Sequence, residues 1–241
     1  MTKANLSAPR AKLAWANDQI NVLHAKIIIF GERKPYRVIH ESNPDGAGYL
    51  VKLQTLEPVP DDIVIHIGAV LAAQRDSLDF LATALAERNG AKEPRDVHFP
   101  IAGSKQSFRE RGTQKKIAKL AVEDRAIIEA LKPYKGGNDM LYALNWLCQK
   151  GKHRKPLLIG GAPTSQAIGG NGIIREIKLL GMVGGLEAGA PVATVDADPG
   201  IYLTLTVDVA FREIAHATLR PVVPVLREFS SLAASIINLF E

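Results

Sequence analysis

Apolar residues recur at three- and four-residue spacing between residues 8 and 31, at Leu13, Ile20, Leu23 and Ile27, before "GERKP" ends the run. That spacing places them on one face of a helix. Two β-rich stretches follow, "PYRVIHES" and "GYLVKLQTL", on either side of "NPDGAG". Asn, Pro, Asp and Gly supply turn conformations there, so a hairpin is expected. A second helix is expected over residues 61–89. Pro60 and the acidic pair Asp61 and Asp62 suit a helix N-terminus, and Gly90 suits a left-handed stop. An extended "HFPIAG" and the basic "SKQSFRERGTQKKIAKL" come next. Two further helices, about 121–132 and 138–151, are joined by "KPYKGGN", with Asn138 as N-cap of the second.

At "KHRKPLLIGG" the hydrophobic period changes. Residues 156–160, 172–184, 192–195 and 201–212 read as strands. The clearest is "YLTLTVDVAF", where Leu203, Leu205, Val207, Val209 and Phe211 alternate with Tyr202, Thr204, Thr206, Asp208 and Ala210. "DADPG" (196–200) reads as a turn and "GGAPTSQAIGGNG" as a mobile strand connection, since it lacks the Lys followed by Ser or Thr of a P-loop. From Pro221 the chain returns to a helix with an apolar stripe at Val225, Phe229, Leu232, Ile236 and Leu239. The expected fold is a single α+β domain. A helical bundle over 8–155, carrying a small β-hairpin, is followed by a small, mostly antiparallel sheet over 156–212 and a closing helix over 221–240.

Composition narrows the classes without choosing a function. The 241 residues are 46% hydrophobic and 23% charged, ordinary values for a globular chain. The single cysteine, Cys148, excludes an internal disulfide and every multi-cysteine zinc pattern, which points to a reducing, cytoplasmic setting. It lies beside Trp146 and Leu147 and reads as a small core residue. The first nineteen residues lack a continuous apolar stretch and no apolar run approaches the roughly 20 residues of a membrane span, so a soluble protein is expected. The formal charge of +5 permits contact with RNA or another polyanion. The six histidines are scattered without acids at ligand spacing, so neither a metal nor another cofactor is expected.

Two stretches put charge where apolar residues would be expected. In "RDSLDFL" (75–81), Arg75 and Asp79 are four residues apart on one helical face and can pair directly. Leu71, Leu78 and Phe80 flank them, and a charge kept near a core needs partners to offset its desolvation. In "KGKHRKP" (150–156), His153 could move a proton near neutral pH, Arg154 could clamp a carboxylate or phosphate, and Lys152 adds a mobile charge. The plainer readings are a surface ion pair and a basic helix C-terminus meeting its own dipole. Arg75, Asp79, His153 and Arg154 are expected to converge as one cluster between helices 61–89 and 138–151. A third basic stretch, 104–119, holds Lys105, Arg109, Lys115 and Lys116. With Lys152 these form a candidate nucleic-acid surface, although a solvated helix face would read the same way and is the first expectation.

"GAVLAAQRDSLDFLATALA", then "FPI", then "IIEALKPYKGGNDMLYALNWLCQKGKHRKPLL" resemble a family of uncharacterised bacterial proteins over about residues 60–160. That family carries, in order, Arg-Ser-x-Leu-Asp-His, Phe-Pro-Ile, Gln-Pro-Tyr and Asp-Lys-His-Arg elements. More remotely, an arginine and a histidine at this helical spacing resemble the active-site motif of HEPN ribonucleases, which are all-helical proteins of toxin–antitoxin and phage-defence systems. The resemblance implies metal-independent RNA cleavage, with Arg75 and Asp79 at matching positions and a site at a homodimer interface. The chain departs from the pattern at Phe80, which occupies the histidine position, at Lys132, where the family tends to glutamine, and at Gly151, where it tends to aspartate. Phe80 cannot transfer a proton, so the first expectation is a non-catalytic binding or scaffolding protein, with the ribonuclease as the alternative.

Overall fold

A computed structural model describes the backbone of residues 3–42, 48–153, 159–170, 173–179, 191–197, 202–214 and 217–241. The described residues form helices α1 (Ser7–Glu32), α2 (Asp61–Arg88), α3 (Lys105–Arg109), α4 (Arg111–Gln114), α5 (Val122–Ala130), α6 (Asp139–His153) and α7 (Val222–Asn238), with two strands between α1 and α2 and five between α6 and α7. These are β1 (Tyr36–Ser42), β2 (Tyr49–Thr55), β3 (Ile159–Gly169), β4 (Ile174–Leu179), β5 (Pro191–Ala197), β6 (Tyr202–Ile214) and β7 (Ala217–Pro221). The class is therefore mixed α and β with a C-terminal helix, as the change of hydrophobic period implies. No helix among the described residues is long and apolar enough to cross a membrane.

The chain divides into two compact units, one of residues Met1–Leu23, Ile65–Leu157 and Val223–Glu241, the other of His24–Val64 and Leu158–Val222. In the first unit the core follows the spacing seen in the sequence. α1 buries Leu13, Ala16, Ile20 and Leu23, and α7 buries Val225, Leu226, Phe229, Ala233, Ile236 and Ile237. The central helix α2 is buried on nearly every side from Val70 to Ala86, so its few polar side chains must be satisfied inside the protein. Gln74 donates from Nε2 to the Leu226 carbonyl at 2.6 Å and to Ser230 Oγ at 2.8 Å, tying α2 to α7. Arg88 pairs with the buried Asp124 of α5. Gly90 ends the turn after α2 at φ +88°, and Asn138 Oδ1 accepts the Leu141 N–H at 3.1 Å as the N-cap of α6.

The second unit is built from two antiparallel sheets. One has the strand order β1, β2, β5, β4, and the other β3, β6, β7. The hairpin is thus part of a sheet whose other strands come from far along the chain, with Tyr49 paired to Val195 and Val51 to Ala193. Val51, Leu53, Ala193, Val195 and Ala197 form its apolar centre, with Val38, Ile177 and Val207 packed against them. The glycine-rich run expected to be a mobile connection is instead strand β3, paired with β6 from Ile159 to Phe211 through Gly169 to Tyr202. Its main chain is held by a long, strongly alternating partner, which outweighs the weak strand preference of glycine. Pro163 is accommodated because β3 is an edge strand and shifts register between Pro163 and Ser165. Asp196 and Ala197, expected in a turn, are the last residues of β5.

Gly48 sits where β2 and β5 meet, at φ +76°, and a Cβ there would lie 1.8 Å from the Val195 carbonyl oxygen. Gly68, inside α2, has nothing within 4 Å of the same position. Gly48→Ala is therefore expected to destabilise by more than about 1 kcal/mol, while Gly68→Ala stabilises by up to about 1 kcal/mol through the better helix former. Denaturant unfolding of both variants, followed by circular dichroism, checks the opposite signs.

Candidate functional site

The polar cluster on α2 is organised around Arg75, which is only 9% exposed. Its guanidinium makes three hydrogen bonds in three directions. Nη1 donates to Asp79 Oδ1 at 2.6 Å, Nη2 to the Phe99 carbonyl at 2.7 Å, and Nε to Asn145 Oδ1 on α6 at 3.1 Å. Asp79 Oδ1 also accepts the Phe99 N–H at 2.8 Å. The i,i+4 pair therefore holds both main-chain groups of Phe99, as a neighbouring strand would. Phe99 lies on an extended segment, with its ring fully buried, and buried backbone groups on such a segment need partners that no ladder supplies. Three charges on a buried helix thus have separate tasks: Arg75 and Asp79 clamp the Phe-Pro-Ile segment, and Asp76 faces Lys12 at 3.4 Å.

The same segment is fastened a second time three residues on. Ala102 N–H donates to the Pro133 carbonyl at 3.0 Å and its carbonyl accepts from Lys135 N–H at 3.3 Å. The Lys-Pro-Tyr loop that does this is tight. Lys132 has φ +50°, its carbonyl accepts from both Tyr134 and Asn138, and a Cβ on Gly137 would come within 2.5 Å of that carbonyl. Elements separated along the sequence, at 75–79, 99–102, 132–135 and 145, are therefore one connected structure.

His98 stands at the solvent edge of the cluster, its side chain 55% exposed and Nδ1 3.6 Å from Asp79 Oδ2. Its main-chain N–H donates to the Lys116 carbonyl at 3.3 Å, which brings the basic segment alongside. Sequence reasoning passed over His98 as one of several scattered histidines. The available signal was its position directly before the Phe-Pro-Ile element. Asn145 was also missed, although it lies in "LNW" on the helix that leads to "KHR".

Of the expected cluster, Arg75 and Asp79 are together. His153 is the last residue of α6, but its side chain lies outside the described residues, as do the side chain of Lys152 and the whole of Arg154. Phe80 is 43% exposed, with Lys12 Nζ 5.9 Å from its ring centroid. Lys105, Arg109 and Lys115 are exposed and Lys116 is half-buried. Cys148 is buried in α6. Among the described residues no group of three or more His, Cys, Asp or Glu side chains could hold a metal ion. A groove of about 380 Å³ lies between α1 and α7, lined by Asn17, Asn21, Arg227 and Ser231 over Ile20. No family model, no curated protein and no solved structure matches the chain.

Removing one partner of the clamp leaves the others uncompensated. Arg75→Met is expected to cost about 3 kcal/mol of stability, because Asp79 loses its counter-charge and the buried Phe99 carbonyl loses its donor. Arg75→Met combined with Asp79→Leu should cost clearly less than the sum of the two single changes, and a double-mutant cycle by urea unfolding measures that coupling.

Proposed function

We propose that the chain is a non-catalytic binding or scaffolding protein whose Arg75–Asp79 cluster is a structural clamp. The observation that supports this reading is the closure of the Arg75 guanidinium. An arginine that stabilises charge developing on a phosphate must present its N–H groups to substrate. Each guanidinium nitrogen of Arg75 directs one N–H inward, to Asp79, Asn145 and the Phe99 carbonyl, which engages three of its five donors, and the residue is almost fully buried. Phe80 adds to the case, since it offers no proton where the resemblance would place a histidine. The lone buried cysteine fits a cytoplasmic setting.

One observation favours the alternative, a HEPN-like metal-independent ribonuclease of a toxin–antitoxin or phage-defence system. His98 is half exposed beside a carboxylate that Arg75 and the Phe99 N–H hold in place. An imidazole so oriented could take the 2′-OH proton or protonate the departing 5′-oxygen, the role Phe80 cannot fill. Under this reading a second copy of the chain would complete the site.

The two readings differ in what His98→Ala does. For a non-catalytic protein, wild type leaves a labelled single-stranded RNA intact, and His98→Ala changes stability by no more than about 0.5 kcal/mol because the side chain is exposed. Cleavage by wild type that disappears in His98→Ala would establish the ribonuclease instead. Gel analysis of the RNA, paired with a melting curve for each protein, reads both quantities.

A further inference from the structure

Between Lys105 and Lys119, six lysines and arginines stand against one acid, Glu110, so this stretch carries +5, the formal charge of the entire chain. Everything else in the sequence balances to zero. A solvated helix face ordinarily interleaves acids with bases, which relieves repulsion among like charges. Here that relief is absent. Lys119 Nζ donates to the Arg95 carbonyl at 3.0 Å, but Lys105, Arg109, Arg111, Lys115 and Lys116 meet no carboxylate within ion-pair distance among the described residues.

The backbone beneath the charges is also held in place. Ser104 and Ser107 form a reciprocal capping box at the start of α3. Phe108 is buried with its ring 5.8 Å from that of Tyr134, and Gln114 Nε2 donates to the Phe108 carbonyl at 2.7 Å. Ile117 is fully buried in the 3-10 turn Lys115–Ile117, and the carbonyls of Lys116 and Lys119 accept from His98 N–H and Asn89 Nδ2. The backbone that carries the cations is therefore ordered before any partner arrives, which lowers the entropy cost of binding. Phe108 and Ile117, the large apolar side chains of the stretch, point inward. The surface left outside offers positive charge with neither an apolar anchor of the kind protein interfaces use nor an aromatic platform for unstacked bases.

We propose that the 105–119 segment binds the phosphate backbone of a nucleic-acid duplex without reading its bases. Five unpaired cations on one ordered stretch of backbone suit an extended polyanion of regular charge spacing, and a duplex asks for no stacking partner. The inference rests on the reading of the chain as a binding protein and supplies its ligand class.

Fluorescence anisotropy of the full chain with labelled DNA and RNA duplexes of unrelated sequence tests it, with the salt concentration varied between about 50 and 300 mM. The expected result is equal affinity for unrelated sequences and a slope of log K against log salt of about −4 to −5, as neutralising five phosphates requires. Lys105→Gln with Arg109→Gln should flatten that slope by about two and weaken binding at least tenfold at the lowest salt. Lys34→Gln with Arg37→Gln, which removes the same charge from the other unit, should do neither. No binding of either duplex at about 100 µM protein in low salt would overturn the proposal, as would equal losses from the two double variants or equally tight binding of polyglutamate. Cleavage of bound RNA would end the non-catalytic reading and leave this one standing. Absence of binding in a protein that still depends on Arg75 for stability would end this one alone.

Discussion

A guanidinium placed inside a helical unit needs partners for its nitrogens, and each nitrogen of Arg75 has one, among them the backbone of a segment that has no regular structure of its own. Its three bonds reach an acid one turn along the same helix, a carbonyl of the Phe-Pro-Ile segment and an amide side chain on α6. Asp79 completes the arrangement by accepting the Phe99 N–H. The cost of desolvating the pair is offset because each charge also caps a buried main-chain group that would otherwise be orphaned. Position follows from this. Phe99 is fixed by Arg75 and Asp79, Ala102 by the Lys-Pro-Tyr loop, and His98 sits where its backbone can reach Lys116.

The charge distribution follows the same frame. The buried Arg75 is paired with Asp79 and the half-buried Arg88 with the buried Asp124, while the cations of the 105–119 stretch are carried outward by short helical turns whose apolar residues are anchored inside. Structural and candidate binding residues are therefore neighbours with different environments. Arg75 is closed by its partners, and Lys105 or Lys115 is left open to solvent.

What the sequence made legible was decided locally. α1 and α7 follow from three- and four-residue apolar spacing, α2 from Pro60 and its acidic first turn, Gly90 and Asn138 mark boundaries by their own backbone and side-chain chemistry, and β6 follows from strict alternation. The features that escaped are those whose cause lies elsewhere in the chain. β3 is a strand because β6 pairs with it, despite five glycine, proline and alanine residues between Gly160 and Ala167. The hairpin joins β5, whose residues come well over a hundred positions later. At the site, the pairing of Arg75 with Asp79 was readable from their spacing. Their service to Phe99 was not, since a main-chain partner leaves no mark on residue type, and Asn145 and His98 are ordinary polar residues until the fold brings them to α2.

The central claim, that Arg75 and Asp79 act on the Phe99 backbone as a structural clamp, is tested most directly by native-state hydrogen exchange of the Phe99 amide. If the clamp operates, that amide exchanges as slowly as those of Leu78 and Leu81 in the core of α2, although it lies in an extended segment, and Arg75→Met releases it while the α2 amides stay slow. A Phe99 amide that exchanges at the rate of an open loop in the wild-type protein would contradict the account.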